Sequence, residues 1–390
     1  MVDTSLLVIG AGPYGLAVAA YARHRGIEPT VLGEPMGFWR EHMPRGMFLR
    51  SGPDWHLDAT NVHTFEAYLA ERGVDPAAVD PIPVDLFLAY ATWFQEIAGL
   101  HVRPQLVTAL RRHEGAFEAD LDGRGTVSAT TVVAAPGISH FTNIPHRAVA
   151  ELPPERFTHT CFLTEVDRAR DARTLIIGGR QSAFEWAALL ADAGVDEVHV
   201  AYRHDTPAFA PADWHFVDPM IDQTVAVPGW FRHLPADQQD AVAQRFWAEG
   251  RLKLEPWLTP RMPESVVHRH PRTEVTRCVE LPDGDIRAEL STGDVLLVDH
   301  VVLATGYRAD ITAVPYLADL PGLETIDGFP VLDEHMQTSV PGLFLTGFAA
   351  THDFGPFFGF VRACPAAAQI IVPELARLLE ARAELSGQSR

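Results

Sequence analysis

An apolar run, Leu6 to Ile9, stops at Gly10-Ala11-Gly12-Pro13-Tyr14-Gly15, and a helical pattern, Leu16 to His24, begins at once. That order of features describes a buried strand turning into a helix. Gly10 permits the tight turn, Gly12 lets the backbone approach a pyrophosphate, and Gly15 lets helix and strand pack closely. The helix N-terminus adds N–H donors and the positive end of its dipole. A dinucleotide is the expected ligand. A second strand, Pro29 to Leu32, ends at Gly33-Glu34, about twenty residues beyond the glycines, where an acidic side chain takes the ribose hydroxyls.

The pattern then starts again. After a strand-like meander from Leu106 to Val133 comes an apolar run into Ala135-Pro136-Gly137. Thr174 to Ile177 leads into Gly178-Gly179-Arg180-Gln181-Ser182-Ala183, a helix Phe184 to Ala193, a strand Glu197 to Tyr202, a meander Thr273 to Leu297, and Val301 to Gly306. The spacing from first glycine to closing glycine, residues 10 to 137 and 178 to 306, agrees to within one position. Two units of one design imply two dinucleotides. The fold class is therefore α/β, with two Rossmann-like dinucleotide-binding domains.

Gly342 to Gly347 reads as one more strand, returning to the first sheet, with a last helix after it. The second unit is then an insertion in the first, with crossings near Pro145 to Arg173 and Asp299 to Arg308. The expected boundaries are 1–150 and 301–390 for the first domain and 151–300 for the second. An aromatic-rich helical insertion at about 207–260 belongs to the second.

The second glycine turn departs from the first, with Arg180 at its middle position and Ala183 at its third. Either Arg180 reaches over the nucleotide as a cation, or this site is degenerate. Arg203 follows the second strand where the first unit has an acid, and a positive charge there suits the 2′-phosphate of NADP.

Composition excludes other classes. With 390 residues, 47% hydrophobic, the chain can build two or three packed domains. A formal net charge of −20 opposes nucleic acid or an anionic membrane as partner. No apolar run reaches the roughly 18 residues of a membrane helix, and no leader is evident, so the expected location is cytoplasmic. Cys161, Cys278 and Cys364 form no C-x-x-C, which argues against a thiol redox pair or cysteine zinc site. His268 and His270 read as loop, and no metal is expected.

GAGPYG, the Gly37-Phe38-Trp39 after the acid, Asn143-Ile144-Pro145, the second turn with Gln181-Ser182-Ala183, Leu303-Ala304-Thr305-Gly306-Tyr307 and Gly342-Leu343-Phe344 together resemble the class B flavin monooxygenases. These include flavin-containing monooxygenases and the lysine and ornithine N-hydroxylases, and the N-hydroxylating branch is the more similar. Departures are Asp218-Pro219 where that branch has Asn-Glu, Val84 in place of an arginine, and His159 as a partial match to another branch's motif. The resemblance implies FAD in the first domain and NADPH in the inserted one. It implies oxygenation, N-hydroxylation first, of a small amine, amino-acid-like or sulfur-containing substrate by O2 through a flavin C4a-hydroperoxide. The cofactor supplies that chemistry, so the protein needs to bind, orient and exclude water.

The implied FAD contacts are Gly10, Gly12, Pro13, Tyr14, Gly15 and Glu34 for the ADP half, and Trp39, Leu49 and Arg50 nearer the ring. Gly347 and Phe357 fall at the pyrimidine edge, and Trp39 reads equally as core. NADPH contacts are Gly178, Arg180, Gln181, Ser182, Arg203 and Gly306. Thr305 and Tyr307 hold nicotinamide or substrate, or form a hinge; Asn61 either hydrogen-bonds near the flavin or shapes a loop. The aromatics of the insertion are a pocket wall or an oligomer face, with Asp213 or Asp218 as anchors for a cationic amine if they form the wall. Two other functions fit the same motifs: an NAD(P)H-dependent flavin reductase that passes electrons on without oxygenation, and a flavin-binding sensor with a decayed second site.

Overall fold

The computed structural model describes residues 2–388 apart from 114, 124, 164, 165, 167–171 and 251. Part of the first expected crossing, residues 167–171, thus lies outside the described residues.

The first strand, Thr4–Ile9, is buried along Leu6 to Ile9 and pairs in parallel with Pro29–Leu32 on one side and Thr126–Ala134 on the other. Buried on both faces, such strands read as continuous apolar runs. Beyond Pro29–Leu32 lies Val102–Arg103; beyond Thr126–Ala134 the antiparallel strands Ala116–Leu121 and Val107–His113 complete the meander. Leu343–Leu345 also pairs in parallel with the end of Thr126–Ala134, matching Leu343 to Val132. The first sheet is therefore closed by a strand about two hundred residues downstream.

The second sheet is parallel throughout, in the order Val267–His270, Val198–Ala201, Thr174–Ile177, His300–Leu303, Phe157–His159. A separate antiparallel trio, Val275–Glu280, Ile286–Leu290 and Val295–Val298, covers one of its faces. Two expectations change here. His300–Leu303 belongs wholly to the second sheet, so the expected division at 300/301 cuts a strand and moves past residue 303. His268 and His270 sit on a strand, not a loop, because Val267 is buried beside Val198 and the backbone pairs in register.

Helices follow the sequence pattern with shifted starts. Pro13–His24 begins at the proline, whose missing N–H is no loss in a first turn, and Gln181–Asp192 begins three residues before expectation. Phe65–Glu71 is capped by Thr64, whose Oγ1 accepts from Ala67 N–H at 3.1 Å. The insertion carries Asp218–Ala226 and Ala236–Gly250. Cys364–Gln388 packs against Pro13–His24. No helix among the described residues is long and apolar enough to cross a membrane.

Candidate functional site

The two glycine turns are built alike, down to single hydrogen bonds. Gly10 N–H donates to Leu32 O at 2.8 Å and Gly178 N–H to Ala201 O at 3.0 Å, each reaching the end of its neighbouring strand. Ala135 N–H donates to Ile9 O and Ala304 N–H to Ile177 O, at 2.8 and 2.9 Å. Gly10 and Gly178 have φ of +107° and +146°, and a Cβ on either would collide with the carbonyl oxygen of Ala135 or Ala304. Glycine is thus required at both positions for the close approach of two strands. A Cβ on Gly15 would strike Gly10 O, whereas one on Gly12 would meet nothing within 4 Å.

That open space at Gly12 belongs to a cavity of about 1110 Å³ onto which both turns face. Gly12, Pro13, Tyr14 and Gly15 line it from one helix start; Gly178, Arg180, Gln181 and Ser182 line it from the other. The first amides of a helix have no intrahelical acceptor, so each start offers N–H donors and a positive dipole end to an anionic group. Two helix starts opening on one cavity, the first with open space at Gly12 and the second with the Arg180 cation at the matching position, fit a pair of dinucleotides.

Trp39, Leu49, Arg50, Arg203, Thr305, Gly306, Tyr307 and Gly347 also line the cavity. Trp39 is both wall and core, with its ring 4.8 Å from that of Phe87. Tyr14 donates its hydroxyl to the carbonyls of Phe360, at 2.8 Å, and Phe358, fixing the first turn to the segment before the last helix. Gly347 sits against the Tyr14 ring.

Several expected residues lie elsewhere. Gly10 is spent on the strand contact and does not line the cavity. Glu34, at the end of the second strand, is exposed and outside the wall. Asn61 is exposed, with φ +57° in a turn closed by its own N–H to Asp58 O, and Phe357 is a core ring packed on Phe358. Arg50 lines the cavity, but its guanidinium is committed to protein: Nε meets Glu255 Oε1 at 2.9 Å, and its other nitrogens donate to Gly250 O at 2.5 Å and Lys253 O at 3.0 Å. Gln181 has both ends of its amide engaged, by Glu185 and by Glu255 N–H. Asp218 accepts from Arg362 Nε at 2.7 Å and Asp213 from His215 N–H; neither lines the cavity, so neither is placed to anchor an amine there.

The insertion's aromatics divide. Trp214 and Phe231 form part of the wall, Phe216 and Phe246 are buried behind it, and Trp247 is exposed with the Arg180 guanidinium 3.7 Å from its ring centre. Such stacking suits a planar, weakly hydrated cation.

The corner at Ala304 to Tyr307 is held tightly. Thr305 donates its hydroxyl to Asn143 O, Asn143 Nδ2 donates to Thr305 O at 3.2 Å, and Asn143 N–H donates to Gly306 O at 2.9 Å. His159, buried beneath, accepts from Cys161 N–H on Nδ1 at 3.1 Å; the proton therefore lies on Nε2, which donates to Gly306 O at 3.1 Å. Burial holds this imidazole below its ordinary pKa, against the opposing pull of the Gly306 carbonyl. Burial pushes the Tyr307 hydroxyl well above its ordinary value, and its bond to the Cys161 thiol adds to the shift. His159 and Tyr307 brace the turn.

Sequence reading did not single out Glu185 as a wall residue. It is 3% exposed, and burial raises its carboxyl pKa against the lowering effects of Gln181, Phe48 and the more distant Arg261 and Arg50. Its place four residues after Gln181, on the same helix face, is the signal that could have found it. Among the described residues, no group of three or more His, Cys, Asp or Glu side chains is arranged to hold a metal ion.

The family model "Pyridine nucleotide-disulphide oxidoreductase" matches residues 7–227, and a second model of the same description matches 245–368. A ferredoxin–NADP reductase of Saccharopolyspora erythraea is 28% identical over 193 residues, 48% of this chain and 50% of that protein. The chain's match thus spans about half the length of that curated relative. In fold it is similar to the ornithine N-hydroxylase of Kutzneria sp. 744, solved with reduced FAD, NADP+ and L-ornithine. Their TM-score is 0.79 at 17% identity, covering 96% of this chain and 99% of that one. It is similar also to the reduced ornithine hydroxylase of Pseudomonas aeruginosa, with a TM-score of 0.75 at 19% identity, covering 97% and 99%. With one family model spanning more than half of its residues over the first glycine turn and the second, the chain belongs to the pyridine nucleotide-disulphide oxidoreductase family.

Proposed function

We propose that the chain is an NADPH- and O2-dependent flavin monooxygenase acting on a nucleophilic nitrogen or sulfur, with N-hydroxylation as the leading reaction. The observation that carries this reading is the single cavity shared by two helix-start cradles, which lets two dinucleotides meet. The likeness of fold to two ornithine hydroxylases supports it.

In this reading the first domain comprises the first sheet and the helix Cys364–Gln388, and the NADPH domain is inserted within that sheet, between Thr126–Ala134 and Leu343–Leu345. Gly12, Pro13, Tyr14, Gly15, Trp39, Leu49 and Gly347 would hold FAD, and Gly178, Arg180, Ser182, Arg203 and Gly306 would hold NADPH. When bound, these cofactors supply hydride transfer and activation of O2. The protein's own part is positional. The braced corner at Thr305 to Tyr307 keeps the two sheets at fixed separation, and Trp39, Trp214 and Phe231 exclude water from the wall. With Asp213 and Asp218 outside the cavity, the substrate meets a largely apolar wall whose exposed acids are Asp240 and Glu274, and it is a small amine or sulfide of predominantly apolar body.

The deciding experiment supplies the purified holoprotein with NADPH, 18O2 and a panel of amines, amino acids and sulfides, and reads products by mass. One 18O atom in a product supports the monooxygenase. NADPH oxidation with no labelled product from any substrate overturns it. That outcome would favour the second reading, an NAD(P)H-dependent flavin reductase, which the similarity to ferredoxin–NADP reductases motivates.

Arg203 follows the strand Val198–Ala201, is exposed, and lines the cavity beside His204, with no acid at that strand's end. Replacing it by Ala is expected to raise the KM for NADPH about tenfold, the loss of one charge-assisted phosphate contact, and to leave the KM for NADH within about twofold. Equal effects on both nucleotides would remove Arg203 from the 2′-phosphate.

A further inference from the structure

Glu185 is the buried acid of the cavity wall; Asp240 and Glu274, which also line it, are exposed. Its Oε1 accepts from the backbone N–H of Phe48 at 3.2 Å, and its Oε2 from Gln181 Nε2 at 2.9 Å. Gln181 Oε1 accepts from Glu255 N–H at 3.1 Å, and the Glu255 carboxylate receives Arg50 Nε at 2.9 Å. The donors and acceptors alternate along this run, so the Gln181 amide has one orientation that satisfies both neighbours.

Three segments far apart in sequence meet on these bonds. One is the short strand Phe48–Leu49, paired with Ile82–Pro83 and continued by Arg50, with Leu49 in the same buried core as the first helix. Another is the first turn of Gln181–Asp192, at the second glycine turn. The third comprises Gly250, Lys253 and Glu255 of the insertion. Burial makes each bond costly to leave unmade, so the segments move together or not at all.

We infer that Glu185 is a positioning residue that couples occupancy of the second glycine turn to the strand Phe48–Leu49 in the wall of the shared cavity, through Gln181 on one oxygen and the Phe48 amide on the other. A nucleotide that settles on the helix start at Gln181 and Ser182 draws that strand with it. The inference rests on the two-dinucleotide reading proposed above.

The test measures the FAD dissociation constant of the full chain with and without saturating NADP+, by flavin fluorescence on titration of the apoprotein. In the unaltered protein NADP+ is expected to change it at least about fivefold, the lower end of ordinary site-to-site coupling. Glu185→Gln places an amide against the Gln181 amide. Gln181 must then turn to accept, and its NH2 meets the Glu255 N–H. The coupling should fall below about twofold. The exchange Gln181→Glu with Glu185→Gln keeps a donor facing an acceptor at every bond and should restore it to about fivefold. Coupling is read at saturating NADP+, so a weaker NADP+ affinity in a variant does not enter.

Unaltered coupling in Glu185→Gln, or no recovery in the exchange, overturns the inference and leaves the function reading in place. So does an unaltered protein that binds NADP+ with no change in FAD affinity. An unaltered protein that does not bind NADP+ overturns both.

Discussion

Gly12→Val should yield a folded but colourless protein, and Gly15→Val should not fold. The two glycines sit three residues apart in one motif, yet a Cβ on Gly12 would meet nothing within 4 Å while a Cβ on Gly15 would strike the carbonyl oxygen of Gly10. Backbone cannot step aside as a side chain can, so the second substitution forces the first helix off its strand. At Gly12 the side chain enters only the cavity. An overlap of about 3 kcal/mol with the cofactor there would weaken FAD binding by roughly a hundredfold. Thermal unfolding of the apoproteins and flavin absorbance after reconstitution separate the cases. A yellow Gly12→Val protein would show that the cradle is not where FAD binds.

Arg50→Met should destabilise the fold by about 3 kcal/mol or more, because it strands the Glu255 carboxylate in a place where it cannot be hydrated. The two side chains are 18% and 8% exposed, and Arg50 also holds the carbonyls of Gly250 and Lys253. Adding Glu255→Leu should recover much of the loss, since an apolar pair of similar volume often replaces a buried ion pair without cost. Urea unfolding of the single and double variants gives the comparison. If the single variant unfolds at the native midpoint, the pair is solvated and does not hold these segments together.

The backbone plan could be read in the sequence because it depends on local patterns. Leu6 to Gly15 and Thr174 to Ala183 carry apolar runs, glycines and helix periods within ten residues, and the structure superimposes the same hydrogen bonds on both. The N-terminus of Gln181–Asp192 was less readable, since Arg180 and Gln181 carry no capping signature. Side-chain commitments were not readable at all. That Asp218 is taken by Arg362, Arg50 by Glu255, and Gln181 by Glu185 and Glu255 depends on folding, which brings residues from distant parts of the chain into contact. Asn61 and Phe357 show the same limit from the other direction, since a polar residue in a turn and an aromatic in a Gly-Pro turn look alike in sequence whether or not they face a ligand. His268 and His270 misled for a different reason. Their alternation with Arg269 is polar on both faces, and only the buried neighbour Val198 makes a strand of them.

The position of Leu343–Leu345 has a consequence for the order in which the molecule assembles. The strands of the second sheet lie between residues 157 and 303, and its pairings form without anything downstream. The first sheet includes Thr4–Ile9, made before any strand of the second, yet it waits for Leu343–Leu345 to cover Val132 to Ala134. The first helix waits longer still for Cys364–Gln388. Pairings of such sequence separation carry a large loop-closure entropy and form slowly. During synthesis the inserted sheet is therefore the one that can close first, while the earlier-made strands keep an open apolar edge. Any chaperone requirement of this chain should centre on that edge, where a nascent chain is most prone to aggregate.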